Sequence, residues 1–258
     1  MTDTTFEPRF AHTASIQAGL DQIARQRWLL DNMLLMPKQQ TWVRREVQIA
    51  RAKATTEIEG IGEEDSNTPS HSARRAFEQA LANALRAYEF IDYLSDLPDQ
   101  PIDQLVIRQL NREFIHGAPA TLTPGVYRKG QNRVADYTPP DQGDVPDLMK
   151  AFVAWIQGTD VHPVLQAGLA HLHFVAIHPF WDGNGRTARG LETLILQRSE
   201  YRFKKLLSVE KRLLSVRRPY FTAIERTLGK QFGVYDATPW LEFYVGVLST
   251  EVSVLITQ

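Results

Sequence analysis

Within twelve residues, His178-Pro-Phe-Trp-Asp-Gly-Asn-Gly-Arg-Thr-Ala-Arg189, the chain collects an imidazole, a carboxylate, two close glycines and two arginines. Apolar residues at helical spacing stand on both sides: Leu169, Leu172, Val175 and Ala176 before, Leu191, Leu194 and Ile195 after. A glycine turn that opens a helix aims unpaired N–H groups and the positive end of the helix dipole at an anion. Gly183 and Gly185 keep Cβ atoms out of that anion's way. Arg186 and Arg189, three apart, share a helix face, and two guanidinium forks side by side suit a di- or triphosphate. Asp182 is a hard oxygen ligand where Mg²⁺ would sit among phosphates. His178, just before the turn, is placed to take a proton from an attacking hydroxyl. The alternative is a type I′ hairpin turn at Asp-Gly or Asn-Gly, which needs alternating strands as flanks where this chain has helical ones.

The stretch fills every fixed position of the signature of the Fic (Fic/Doc) family, His-x-Phe-x-Asp/Glu-Gly-Asn-Gly-Arg-x-x-Arg, at His178, Phe180, Asp182, Gly183, Asn184, Gly185, Arg186 and Arg189. Upstream, Thr55-Thr-Glu-Ile-Glu59-Gly60 closes a helical pattern with a carboxylate at the wrong end of the dipole, a placement that asks for a compensating cation. An acidic helix end with a glycine stop would be the plain account of it. The segment also resembles the family's inhibitory motif, Ser/Thr-x-x-x-Glu-Gly/Asn. The resemblance implies that Glu59, with Thr55 on the same face, pairs with Arg189 and competes with the γ-phosphate of ATP.

These residues need a helical frame, and the apolar spacing supplies one. Helices are expected from Ser15 to a stop at Pro37, over 41–59 with a stripe of Val43, Val47, Ala50, Ala54 and Ile58, and over 72–97, 102–115 and 145–156. Others should run from Pro163 to the signature, through the signature arginines, from Pro219 to Leu228, and over 239–256 behind Thr238-Pro239. Residues 1–14 read as an irregular lead and 61–71 as an acidic surface connection. Residues 119–143 are the main non-helical stretch. Pro124–Arg128 and Asn132–Val134 bracket Lys129-Gly-Gln131 and predict a β-hairpin. The fold class is mainly α: a helical bundle with a small β-hairpin flap. An N-terminal helical region, 1–100, carries the inhibitory helix at about 41–60. A Fic core, 101–258, carries the flap at about 119–138, the signature loop at 178–189 and the C-terminal helices.

Other features have bland readings. His171 and His173, two apart, point to different sides of a helix and read as packing histidines rather than zinc ligands. The basic run from Arg202 to Arg218 reads as a solvated face. With net charge −1 and 43% hydrophobic residues, the chain has a sizeable core and no general attraction to nucleic acid or anionic membranes. The absence of cysteine fits a reducing compartment. No bilayer-spanning run and no signal peptide stand out, so a cytoplasmic protein is the default.

Through the resemblance the expected activity is transfer of AMP from ATP to a Ser, Thr or Tyr hydroxyl of a protein, with self-modification possible. His178 is then the base, Asp182 the Mg²⁺ ligand, and the amides of Gly183, Asn184 and Gly185 the anion hole. Arg186 takes the β-phosphate and Arg189 the γ-phosphate. Tyr220 lies in the family region that lines the adenine, with core packing as its other reading. The target segment would dock along the flap at 125–134 by main-chain pairing. Another nucleotide donor, removal of AMP by a Glu59-held water, and a regulatory module that only binds nucleotide stay as alternatives. Many relatives continue into a winged-helix domain, for which this sequence has no pattern.

Overall fold

The computed structural model describes residues 6–34, 36–62 and 70–257. Most of the acidic connection expected at 61–71, and the first five residues of the lead, lie outside the described residues. The described chain is mainly α. Its helices are α1 (Ala14–Asn32), α2 (Pro37–Ile58), α3 (His71–Ser95), α4 (Gln104–Phe114), α5 (Val145–Gly158), α6 (Pro163–Ile177), α7 (Asn184–Arg198), α8 (Val209–Ser215), α9 (Arg217–Leu228) and α10 (Thr238–Thr257).

The centre is the α6–α7 pair, joined by the loop 178–183. α6 is apolar all round and nearly every one of its residues is buried, which is what a helix surrounded by others requires. α3, α4, α5 and α10 pack around the pair, and α1 lies along α10. α2 lies on α3 and α8 and reaches the start of α7.

Side-chain caps start several of the helices. Thr13 Oγ1 accepts from Ile16 N–H at 3.3 Å and Asp103 from Val106 N–H at 2.8 Å, each filling one of the donors a first turn leaves open. Pro37, expected to end the first helix, instead opens the second: α1 stops at Asn32, and the proline sits at the position where a missing N–H costs nothing. The stripe assigned to α2 is only partly buried over its first half, with Val43 and Val47 half-exposed. The buried part is the last two turns, through Arg51, Ala52, Ala54, Thr55, Thr56 and Ile58.

A buried polar cluster holds those turns down. Arg51, 2% exposed, donates to Leu207 O at 2.5 Å, lies 3.5 Å from Glu210 and stacks over Tyr88 at 5.0 Å. Glu210 also accepts from Tyr88 Oη at 2.7 Å, Thr193 Oγ1 at 3.1 Å and Ser208 Oγ at 3.2 Å. Removing Arg51 strands a buried carboxylate. Arg51→Ala should cost roughly 3–5 kcal/mol in denaturant unfolding, well above a surface arginine.

The hairpin expected at 119–138 is not formed. The segment holds a short 3₁₀ turn at Ala120–Leu122 and an isolated bridge between Val134 and Tyr137. Its main chain pairs outward instead: Arg128 N–H donates to Pro179 O at 2.9 Å and Thr138 N–H to Lys230 O at 2.8 Å. With those partners taken there is no ladder to build, so the flap is an irregular strap over the loop.

The basic run 202–218 is also not simply a solvated face. Lys205 is buried and donates to Asp92 O and Asp96 Oδ2, at 2.9 and 2.8 Å, while Arg217 donates to Ile58 O at 2.8 Å. α10 is long and apolar enough to cross a membrane by length and composition, which the sequence reading passed over. Here Trp240, Leu241, Tyr244, Val245, Leu248 and Val252 are buried against the bundle.

The two packing histidines are both buried, on opposite sides of α6. His173 stacks on Phe6 at 3.5 Å, and its Nδ1 lies 2.8 Å from Tyr235 Oη. Burial lowers its pKa to about 3. The folded value lies below the unfolded one near 6.5, so the unfolded chain takes up a proton first. The contribution is present above pH 6.5 and is lost as pH falls toward 3. Its size is on the order of 5 kcal/mol. His173→Gln should therefore show a shallower decline of melting temperature between pH 7 and pH 4 than the parent.

Candidate active site

α6 ends at His178, which is its C-cap in left-handed backbone, φ 50° and ψ 59°. That conformation is uncommon outside glycine and turns the chain sharply into the loop. Asn184 then closes the loop on itself. Its amide accepts from Phe180 N–H at 3.0 Å and donates to Phe180 O at 2.9 Å. Gly183, φ 78°, is the N-cap of α7; a Cβ there would lie 2.6 Å from Ile115 Cγ2. Thus the family pattern of Asn and Gly is needed by the backbone itself.

His178 Nδ1 lies 3.3 Å from Val175 O, so Nδ1–H donates there and Nε2 keeps its lone pair. Burial lowers the imidazole pKa to about 4, with the Arg128 charge adding to the effect and the Val175 carbonyl, Glu59 and Asp182 opposing it. At neutral pH the ring is an uncharged base.

Arg189 is 1% exposed and held at every nitrogen. Nε donates to Thr55 Oγ1 at 2.8 Å, Nη2 to Thr55 O at 3.3 Å and to Glu59 Oε1 at 2.5 Å, and Nη1 to Tyr220 Oη at 3.3 Å. Thr55 and Glu59 therefore meet Arg189 as the inhibitory motif implies. Burial would lower the guanidinium pKa, and the Glu59 carboxylate more than reverses it, leaving it above the ordinary value. The misplaced carboxylate at the end of α2 thus has its cation, and Arg217 caps the Ile58 carbonyl beside it. Glu59 also lies over the start of α7: a Cβ on Gly185 would come within 2.5 Å of its Oε1. The carboxylate occupies the place that an anion at this helix N-terminus would take.

Other expected site residues differ in detail. Gly183 N–H is not free for an anion, because it donates to Asp182 Oδ1 at 2.6 Å. Asn184 and Gly185 remain as first-turn amides, which have no acceptor within their own helix. Arg186 turns back onto both oxygens of Asp182, each at 3.1 Å, and onto Phe114 O at 3.2 Å. In this state it orients the carboxylate rather than lying open for a β-phosphate. The Asp182 side chain is 45% exposed. One exposed carboxylate beside an anion site is a donor set that Mg²⁺ uses when phosphates supply the rest, so the residues fit that ion. Among the described residues no group of three or more His, Cys, Asp or Glu forms a metal cluster. Tyr220 is 1% exposed beneath Arg189, with no open ring face for a base. Core packing, its other reading, describes it better, with the added contact to Arg189.

Two residues that tie the site together escaped the sequence reading. Arg128, 2% exposed, donates to His178 O and Gly130 O, both at 3.0 Å, and to Pro140 O at 2.5 Å, locking the strap to the turn that carries the base. Asn111 donates to Asp182 O and accepts from Gly125 N–H, both at 2.9 Å. Nothing local marks Arg128. Asn111 was marked faintly, as a polar residue on the apolar face of a helix.

Residues 101–196 match the Fic/DOC family. "Protein adenylyltransferase Fic" of Drosophila mojavensis is 41% identical over 98 residues, which are 37% of this chain and 19% of that protein. The same protein of Drosophila virilis is 40% identical over the same share of this chain and 20% of its own length. The matched region is thus about a fifth of these relatives. Among solved structures, a Fic family protein from Desulfovibrio desulfuricans superposes with TM-score 0.80 at 25% identity, over 98% of this chain and 77% of that one. A Fic domain containing signalling protein from Bacteroides thetaiotaomicron gives 0.70 at 18% identity, over 95% and 96%, a likeness of fold alone. With the signature loop closed at the start of α7 and these likenesses around it, the chain carries a Fic/DOC family domain on a Fic-type helical fold.

Proposed function

We propose that this chain is a protein adenylyltransferase that uses ATP and is held inactive by Glu59. The observation that carries the proposal is the placement of the Glu59 carboxylate on Arg189 and over Gly185, where the terminal phosphate of a bound nucleotide belongs. The relatives named as adenylyltransferases support AMP as the group moved.

In the active state the triphosphate lies against the first turn of α7, with Arg189 on its γ-phosphate and the amides of Asn184 and Gly185 on its oxygens. Asp182, oriented by Arg186, would hold Mg²⁺, which neutralises phosphate charge when bound. His178 Nε2 takes the proton of the target hydroxyl. That oxygen bonds to the α-phosphorus as the bond to the β-phosphate oxygen breaks, and pyrophosphate leaves. Most of the acceleration comes from positioning and charge complementarity, the terms these groups supply. The target segment, which includes self-modification sites, lies along 125–134. This strap borders the loop through Arg128 with Pro179 and through Gly130 against Trp181.

The test is label transfer to protein by the Glu59→Gly variant with Mg²⁺ and α-labelled ATP, run beside labelled GTP, UTP and CDP-choline. Label from ATP alone is expected. Label from another donor would move the assignment within the family, and tight nucleotide binding without transfer would favour a regulatory module.

A further inference from the structure

The transfer scheme leaves one buried ionisable pair without a role. His171 on α6 and Glu192 on α7 are at most 1% exposed, with Nδ1 and Oε2 2.5 Å apart. Burial pushes Glu192 up, helped by nearby Glu210, and pushes His171 down, helped by the Arg189 charge. One bridging proton serves both. The other imidazole nitrogen, Nε2, lies 3.0 Å from Tyr220 Oη, and that oxygen lies 3.3 Å from Arg189 Nη1. Trp240 packs against the His171 ring at 5.1 Å and closes the site. With the shared proton on Nδ1, donation runs one way: Arg189 to Tyr220, Tyr220 to His171, His171 to Glu192. Linked hydrogen bonds in a buried site strengthen one another.

The partners of Arg189 divide unequally. Three of its hydrogen bonds go to the end of α2, to Thr55 twice and Glu59 once, while the one to Tyr220 goes to α9. Whatever displaces Glu59 disturbs the first group. Tyr220 is the anchor that stays.

We propose that Tyr220, His171 and Glu192 form a positioning relay that keeps Arg189 aimed at the start of α7 after Glu59 has left, and so sets the preference for a triphosphate over a diphosphate. The inference rests on the reading of Arg189 as the γ-phosphate ligand. It differs from the expectation that Tyr220 touches the base, because Tyr220 here acts through Arg189 alone.

The test is calorimetric binding of ATP and ADP, each with Mg²⁺, to the full-length Glu59→Gly protein and to its combinations with Tyr220→Phe, His171→Ala and His171→Gln. Tyr220→Phe keeps the ring and removes one bond to a charged group, so the ratio of ATP to ADP affinity should fall about tenfold with ADP affinity little changed. His171→Ala should lower the ratio similarly. His171→Gln, whose amide can still meet the Tyr220 hydroxyl, should recover part of it. Equal losses for ATP and ADP would mean a merely structural role and overturn the relay. An unchanged ratio in Tyr220→Phe, in a parent that prefers ATP, overturns the relay alone. A parent that does not prefer ATP overturns the reading of Arg189, and the relay falls with it.

Discussion

His178→Ala in the Glu59→Gly protein should cut AMP incorporation by about 10²–10⁴-fold, the range that a positioned general base contributes. The expectation rests on geometry before pKa. The ring is held by Nδ1–H on Val175 O, its backbone carbonyl accepts from Arg128, and Nε2 is left as the acceptor. Because burial sets the pKa to about 4, the base is already free at pH 7. The parent rate should therefore show no loss from this group between pH 8 and pH 6, and a decline only as pH approaches about 4. MgATP affinity, measured alongside, should change little, since His178 acts on the target hydroxyl and not on the phosphates. Full transfer activity in the alanine variant would remove His178 from the reaction.

The second large effect has the opposite sign. Glu59→Gly should raise transfer roughly 10- to 150-fold, the equivalent of the 1.5–3 kcal/mol that one charge-assisted hydrogen bond contributes. Two consequences of the one substitution act together: Arg189 loses its internal anion, and the space above Gly185 opens. Arg189 does not become loose, because Tyr220 on α9 still holds it. The anchoring of α2 through Arg51 and Glu210 also survives, so melting temperature should fall only modestly. Label transfer and thermal unfolding on one preparation check both statements. An unchanged rate in a variant that binds ATP would show that Glu59 is no brake.

Most of the site was legible because its parts are local. A turn of Asp, Gly, Asn and Gly before an apolar helix specifies its own backbone: Asn184 closes on Phe180 four residues away, and Gly183 takes a left-handed cap. The helices were legible for the same reason, as periodicity of 3.6 is read over neighbouring residues. At Glu59 a carboxylate against the helix dipole asked for a cation, and the resemblance to the family's inhibitory motif named Arg189 as that cation. Pro37 was misassigned because one residue can close one helix or open the next, and only packing decides which.

What only the tertiary structure decided are contacts between residues far apart in sequence. The expected hairpin gave way to a strap because Pro179 and Lys230 offered its main chain partners that no local pattern encodes. Arg128 and Asn111 became structural ties for the same reason, and Tyr220 turned from an expected base contact into a support for Arg189. Helix formation is a nearest-turn property that composition carries. The pairing of buried charges depends on where α2, α6, α7 and α9 converge, and that convergence is set by the sum of the packing rather than by any one segment.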